Sequence, residues 1–134
     1  MLPTECLCTR LRRASRGVSK LYDDALSGVG LSVAQYSLLR HLQRLDQPSI
    51  TDLADAVGLE RSTLGRNLRL LEGRSLVALA DGADQRNRLV SLTIRGEKLL
   101  AEALDAWQGV QLELKHRLQP HHLQALDELL ASLD

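Results

Sequence analysis

The sequence predicts a mainly α protein that carries a small β-hairpin and forms a single domain, 1–134. Its 134 residues suit one domain, since domains usually hold roughly 100 to 200 residues. Leu fills most apolar positions and aromatic residues make up 2% of the chain, which is typical of helical packing rather than of a β-sandwich. There is no apolar run of the roughly 18 residues that span a membrane and no apolar signal-peptide core, so we expect a cytoplasmic protein.

The first predicted elements are two helices. Apolar residues recur at spacings of three and four over residues 4–27, which indicates a long amphipathic helix that ends near Gly28. Ser32 and Gln35 have the spacing of a capping box, and this predicts the start of a second helix. The apolar period of that helix stops before Pro48.

A short helix and a longer one follow, separated by a tight turn. Thr51 is the predicted cap of the short helix, Gly58 closes it, and the longer helix covers about residues 61–74. Ala54 supplies the small residue required where two helices cross, and Leu64 supplies an apolar residue that fixes the second helix. The pattern predicts a helix-turn-helix.

The remaining elements are a hairpin and two further helices. Residues 76–80 and 88–92 are strand-like runs on either side of a stretch rich in turn formers, which predicts a β-hairpin with a polar tip. Thr93 caps a long helix, and Pro120 opens the last one. A hairpin directly after a helix-turn-helix predicts a winged helix-turn-helix, here over residues 32–93.

The formal net charge of zero hides a polarity along the chain. Residues 61–95 carry seven Arg against three acidic residues, whereas residues 97–134 carry three basic residues against seven acidic ones. A concentrated basic face can bind a polyanion even when the total charge is zero. A solvated face of arginines is the alternative interpretation, but it gives no reason for the helix-turn-helix and hairpin beside it.

Each part of this arrangement fits duplex DNA. The second helix of the motif would enter the major groove, where its polar side chains can bond base edges and phosphates. Arg86 at the hairpin tip is placed to enter a minor groove, and Asp84 and Arg88 could pair to hold the hairpin in shape. The candidate DNA-binding residues are Arg61, Ser62, Thr63, Arg66, Asn67, Arg69, Asp84, Arg86 and Arg88.

Three sequence runs resemble the MarR family of winged-helix repressors: Ser62–Glu72, Leu76–Val77 and Asp84–Thr93. The order of helices before and after them also matches, so the resemblance covers nearly the whole chain. It implies a homodimer in which the first and last helices, 4–27 and 94–134, intertwine. It also implies a palindromic double-stranded DNA operator and a repressor that a signal releases.

One position departs from the family. Ser75 stands where MarR proteins usually have the glycine that ends the recognition helix. A left-handed backbone at this position would cost Ser about 1 kcal/mol relative to Gly.

The two cysteines, Cys6 and Cys8, are too few and too close to form a disulfide framework. The spacing of Cys8 and Tyr22 resembles the organic-hydroperoxide-sensing branch of the MarR family, in which a first-helix cysteine is oxidised to a sulfenic acid and tyrosines hold its thiolate. Val33 and Arg12 stand where further tyrosines are found in that branch. The resemblance assigns redox sensing to Cys8 and Tyr22. Cys6 cannot form an unstrained disulfide with Cys8 within one helix, so its part in redox sensing, through an intersubunit bond or otherwise, stays open.

Helix geometry constrains this assignment. Cys8 and Tyr22 lie fourteen residues apart, which puts them on nearly the same helix face but about 21 Å from each other. The sensor would therefore require antiparallel first helices from two subunits. Nearby arginines and the helix N-terminus would favour the thiolate of Cys8. An inert interface cysteine is the alternative, because free cysteines are often buried.

A zinc site is a weaker interpretation, since one C-x-C pair with His116, His121 and His122 lacks the paired spacing of a zinc motif. We expect no metal or other cofactor.

Three further interpretations concern the signal and the class of protein. A small aromatic or phenolic acid could bind in the crevice that MarR proteins have between dimer helices and winged domain, with Arg16 and Arg44 as possible carboxylate partners. An enzyme is disfavoured, because the sequence has no phosphate-binding glycine loop, no catalytic triad pattern and no dinucleotide fingerprint. A helical adaptor would show no salt-dependent affinity for DNA.

Overall fold

The computed structural model describes residues 6–81 and 87–134, and it confirms a mainly α fold with a two-stranded antiparallel hairpin. A 3-10 turn, Ser27–Val29, follows the first helix. The helices and strands of the described residues, in chain order, are α1 Leu7–Leu26, α2 Val33–Arg44, α3 Ile50–Val57, α4 Arg61–Gly73, β1 Val77–Ala80, β2 Leu89–Leu92, α5 Ile94–Arg117 and α6 Pro120–Leu133.

Three predicted helix starts are confirmed, two by the hydrogen bonds of their capping residues and one by its position. The Ser32 hydroxyl accepts from the Gln35 backbone N–H at 3.1 Å, and the Gln35 side chain accepts from the Ser32 N–H at 3.0 Å, so the capping box is complete. The Thr93 hydroxyl accepts from the Gly96 N–H at 3.0 Å at the start of α5. Pro120 is the first residue of α6.

The predicted cap of α3 is wrong. The helix begins at Ile50, so Thr51 lies inside it, and the cap is Ser49, whose hydroxyl accepts from the Asp52 N–H at 3.0 Å. Ser49 has an extended backbone and forms an isolated β-bridge with Leu89. This bridge to the hairpin keeps Ser49 outside the helix and leaves its side chain free to cap. The predicted end at Gly58 is confirmed by its left-handed φ of 72°.

The predicted hairpin is confirmed to within one residue at each strand end. β1 and β2 pair antiparallel, with Val77 opposite Leu92 and Ala80 opposite Leu89. The predicted polar tip covers residues 81–87, of which residues 82–86 lie outside the described residues, as do residues 4 and 5 of the predicted first helix.

A left-handed Ser75 follows the end of α4, so position 75 keeps the backbone conformation of the family's glycine and the helix end has not moved to suit Gly73. Ser75 has φ of 61°. Its N–H donates to the Glu72 carbonyl at 2.9 Å, and the Leu76 N–H donates to the Leu71 carbonyl at 3.0 Å. These two bonds form a Schellman motif, in which the left-handed position is usually glycine.

The core lies between α4, the hairpin and the helices around them. Its fully buried side chains are Leu26, Leu39, Leu53, Leu64, Leu68, Leu71, Leu76 and Val90. Ala54 is also buried, as predicted for the crossing of α3 and α4. Gly96 is needed where α5 approaches the hairpin, because a Cβ atom there would lie 2.1 Å from the Leu76 carbonyl oxygen. Within the described residues, no helix has the length and apolar content that a membrane span requires.

Candidate DNA-binding surface

The face of α4 that points away from the core carries most of the predicted DNA-binding residues. Leu64, Leu68 and Leu71 are buried on one side of the helix and fix its rotation. The helical period therefore turns the intervening polar side chains outward. The structure brings together six candidates on this helix, of which Thr63 and Asn67 are half-buried and the others exposed: Arg61, Ser62, Thr63, Arg66, Asn67 and Arg69.

The hydrogen-bonding groups on this face stand close to one another. The Arg66 guanidinium lies 3.5 Å from the Thr63 hydroxyl, at the long limit of a hydrogen bond. Guanidinium, hydroxyl and amide groups are the side-chain groups that bond base edges and phosphates in the major groove. The surface thus offers donors of several geometries on a single rigid helix.

Arg88 stands at the base of the hairpin rather than at its tip. Its guanidinium donates to the Leu79 carbonyl at 3.3 Å, and its Nε lies 3.6 Å from a carboxylate oxygen of Asp81. These contacts hold the arginine against β1. The other two hairpin candidates, Asp84 and Arg86, lie outside the described residues, and so does the predicted Asp84–Arg88 pair.

The two cysteines are exposed at the start of α1. Cys6 is the residue before the first helical turn, and Cys8 lies within that turn. Hydrogen bonds from the Thr9 hydroxyl and from the backbone of Thr9 and Cys8 lower the pKa of the Cys6 thiol. The Cys6 thiol therefore ionises more readily than a free cysteine thiol, and the sequence pattern did not indicate this.

Tyr22, the predicted partner of Cys8, is buried at the other end of α1 and is engaged within its own chain. Its hydroxyl donates to the side-chain carbonyl of Gln111 on α5. Burial also raises the pKa of Tyr22 above the ordinary value of 10. Within one chain, Tyr22 and Cys8 therefore lie near opposite ends of α1 and do not contact each other, as the helix geometry predicts.

A crevice of about 440 Å³ lies between α1, α2 and α5 and combines aromatic with basic side chains. Tyr36 stacks on Trp107, with ring centroids 5.9 Å apart and an interplanar angle of 22°. The Tyr36 hydroxyl is buried and has no hydrogen-bond partner among the described residues. Burial raises the pKa of Tyr36, although the nearby Arg40 opposes that shift. Arg40 and Arg44 both line the crevice.

Of the two arginines suggested as carboxylate partners, Arg44 lines this crevice and Arg16 does not. Arg40 was not predicted, although Tyr36, Arg40 and Arg44 recur at four-residue spacing and so share one face of α2.

Of the histidines considered for zinc, His122 accepts a hydrogen bond from the Gln119 N–H at 3.0 Å. No three His, Cys, Asp or Glu side chains within the described residues are grouped so that they could hold a metal ion.

Comparisons with known proteins agree with this geometry. The MarR family model matches residues 29–87. The transcriptional regulator HosA of Escherichia coli O157:H7 is 33% identical over 106 residues, which cover 77% of this chain and 77% of HosA.

Solved structures are similar over nearly the whole chain. The Mycobacterium tuberculosis transcriptional regulator MosR, crystallised with DNA, is 35% identical with a TM-score of 0.84 and 93% of both chains covered. Bordetella bronchiseptica BpsR, whose DNA binding is regulated by 6-hydroxynicotinic acid, is 25% identical with a TM-score of 0.84; 99% of this chain and 96% of BpsR are covered.

Proposed function

This chain belongs to the MarR family of DNA-binding transcriptional regulators and is not an enzyme, and on that premise we propose that it is a homodimeric repressor of a palindromic operator. The observation that carries the proposal is the polar outer face of α4, which three buried leucines hold in one orientation. MosR, which is 35% identical to this chain, was crystallised in complex with DNA, and this supports a DNA-binding role.

Unpartnered apolar side chains support the dimer. No residue of α6 is buried, yet the helix exposes four leucines: Leu126, Leu129, Leu130 and Leu133. Leu7 and Leu11 on α1 are exposed as well. A contiguous apolar face of this kind usually marks an interface. We propose that helices within 4–27 and 94–134 cover each other across a two-fold axis.

The first proposed signal is oxidation of Cys8. The sulfur, as thiolate, would attack the terminal peroxide oxygen of an organic hydroperoxide; the O–O bond breaks, the transferred oxygen keeps its hydrogen so that Cys8 becomes a sulfenic acid, and the alkoxide leaves and takes a proton from water to give the alcohol. The sulfur is oxidised and the peroxide is reduced, so no further oxidant or reductant is needed. The exposure of Cys8 supports its access to the peroxide.

A second signal, an aromatic acid, is favoured by the crevice. Tyr36 and Trp107 offer ring faces, the Tyr36 hydroxyl is unpaired among the described residues, and Arg44 can pair with a carboxylate. The regulation of BpsR DNA binding by 6-hydroxynicotinic acid supports a ligand of this class.

DNA binding is tested first by fluorescence anisotropy on duplex DNA from upstream of the gene itself. We expect affinity to fall steeply as salt rises, with a slope of about −0.9 per phosphate neutralised. Arg66→Ala should raise the Kd about tenfold, whereas the matched control Arg117→Ala, on α5 and paired with Glu113 at 3.0 Å, should not. Equal losses in both variants would remove α4 from the proposal.

The two signals are separated in the same assay with tert-butyl hydroperoxide and 6-hydroxynicotinic acid as probes. If the peroxide releases wild type and Cys6→Ser but not Cys8→Ser, Cys8 is the sensor. Release of Cys8→Ser with retention of Cys6→Ser would transfer the role to Cys6. If only the aromatic acid releases the protein, and Arg44→Ala abolishes that release, the crevice is the receptor site.

A further inference from the structure

A cleft of about 410 Å³ lies between α4 and the hairpin. Its apolar part is formed by Ile50, Leu68 and Leu79, which are buried or half-buried. Arginines surround this apolar part, three of them on α4 and one at the base of the hairpin: Arg61, Arg66, Arg69 and Arg88. A site with an apolar base and a cationic rim suits a ligand that is itself apolar in one part and anionic in another.

Gly65 lies in this cleft, in the interior of α4. Glycine within a helix lowers stability relative to alanine, because it loses more backbone entropy on folding. The fold does not require it: Gly65 is not among the positive-φ glycines, and a Cβ atom there would meet nothing within 4 Å. The space over Gly65 is therefore open to a molecule that enters the cleft.

The geometry of duplex DNA identifies what passes through the cleft. If α4 enters a major groove and the hairpin enters the adjacent minor groove, the sugar-phosphate strand that separates the two grooves must pass between them. Deoxyribose is largely apolar on its outer edge, and phosphates bind arginine. Both requirements match the cleft.

We propose that the cleft over Gly65 seats this sugar-phosphate strand, and that Gly65 sets how closely the strand approaches by having no side chain. Gly65 is thus a positioning residue for DNA, and the inference rests on the proposed function. Arg88 contributes from the hairpin side, since its contacts with Leu79 and Asp81 hold its guanidinium in place beside the cleft. Contacts of this kind go to the backbone, so they act on any DNA sequence.

Two substitutions at Gly65 and one matched control test the proposal. Gly65→Ala should raise Tm by about 3 °C, because alanine favours the helix and has space. Gly65→Gln fills the cleft, and we expect its Kd to rise at least tenfold, both for a duplex that wild type selects from a random-sequence pool and for an unrelated duplex at low salt. Its salt slope should become shallower by about 1. Gly73→Gln is the control, since a Cβ at Gly73 also meets nothing within 4 Å on the same helix; its Kd should stay within about twofold of wild type.

The other outcomes would overturn either this proposal or the proposed function. Unchanged DNA affinity of Gly65→Gln, or a loss confined to the selected duplex, overturns the backbone seat. Equal losses in Gly65→Gln and Gly73→Gln indicate a general effect on the helix and overturn it as well. If wild type itself binds no duplex in a salt-dependent manner, the proposed function fails instead.

Discussion

The left-handed end of α4 gives a prediction about stability that does not depend on DNA. Ser75 has φ of 61°, where the Schellman motif usually places glycine, and its side chain is exposed. Ser75 forms these hydrogen bonds through its backbone: its N–H donates to the Glu72 carbonyl within the motif, and its carbonyl accepts from the Thr93 hydroxyl at 2.6 Å. Ser75→Gly therefore keeps every one of these bonds while it removes the strained Cβ.

The magnitude follows from two opposing terms. A left-handed backbone costs a residue with a Cβ roughly 1–2 kcal/mol. Glycine gives back roughly 0.5–1 kcal/mol of this, because its unfolded chain has more conformations to lose. We therefore expect Ser75→Gly to raise the free energy of unfolding by about 0.5–1 kcal/mol, which corresponds to a Tm increase of about 2–5 °C for a chain of this size.

Urea unfolding followed by circular dichroism measures this change, at one fixed protein concentration because the proposed association of subunits would contribute to stability. Gly58→Ser is the matched reverse: Gly58 has φ of 72° and open space at its Cβ position, so the substitution adds strain without a clash. It should lower the free energy of unfolding by about the same 0.5–1 kcal/mol. If Gly58→Ser destabilises as expected but Ser75→Gly has no effect or lowers stability, the argument from backbone strain at Ser75 is refuted.

Three further predictions use other features of the fold. Gly96→Ala should destabilise the protein by more than about 2 kcal/mol in the same urea assay, because the new Cβ would lie 2.1 Å from the Leu76 backbone oxygen. Leu64→Ala should cost about 2–5 kcal/mol, since Leu64 is fully buried, and near-wild-type stability would contradict the core packing of α4. Burial raises the pKa of Tyr22 and Tyr36; the stability that their neutral forms contribute is complete below pH 10 and is lost as pH rises through the raised values. The midpoint of the tyrosinate absorbance titration should therefore lie above the ordinary value of 10, and an ordinary titration curve would contradict this.

Helix starts and turns were predictable from sequence where the determinants are local. The Ser32–Gln35 capping box, Thr93 and Pro120 act through atoms within three residues, so their identities are enough. The start of α3 was not predictable in this way, because Ser49 and Thr51 are both good caps. The bridge from Ser49 to Leu89 decides between them, and that pairing joins segments far apart in the sequence.

The same distinction separates the two parts of the candidate site. The outer face of α4 follows from the period of Leu64, Leu68 and Leu71, so the sequence predicts its residues directly. The crevice depends on how α1, α2 and α5 pack against one another, and no local sequence pattern predicts that packing. The stacking of Tyr36 on Trp107 brings two distant residues together, and no local pattern announces it.

Two residue choices that are unusual for a helix interior or an exposed surface lie where this protein is proposed to meet a partner. Gly65 weakens the interior of α4, although the fold has room for a side chain there. α6 exposes four leucines on a helix without a single buried residue. Each feature lowers the stability or solubility of an isolated protomer, and each lies on a surface assigned to DNA or to a second subunit. Natural sequences usually break such rules at functional sites. Ser75 breaks one as well but does not line the cleft over Gly65, so strain at Ser75 should be removable without loss of DNA binding, while a long side chain at Gly65 should weaken DNA binding.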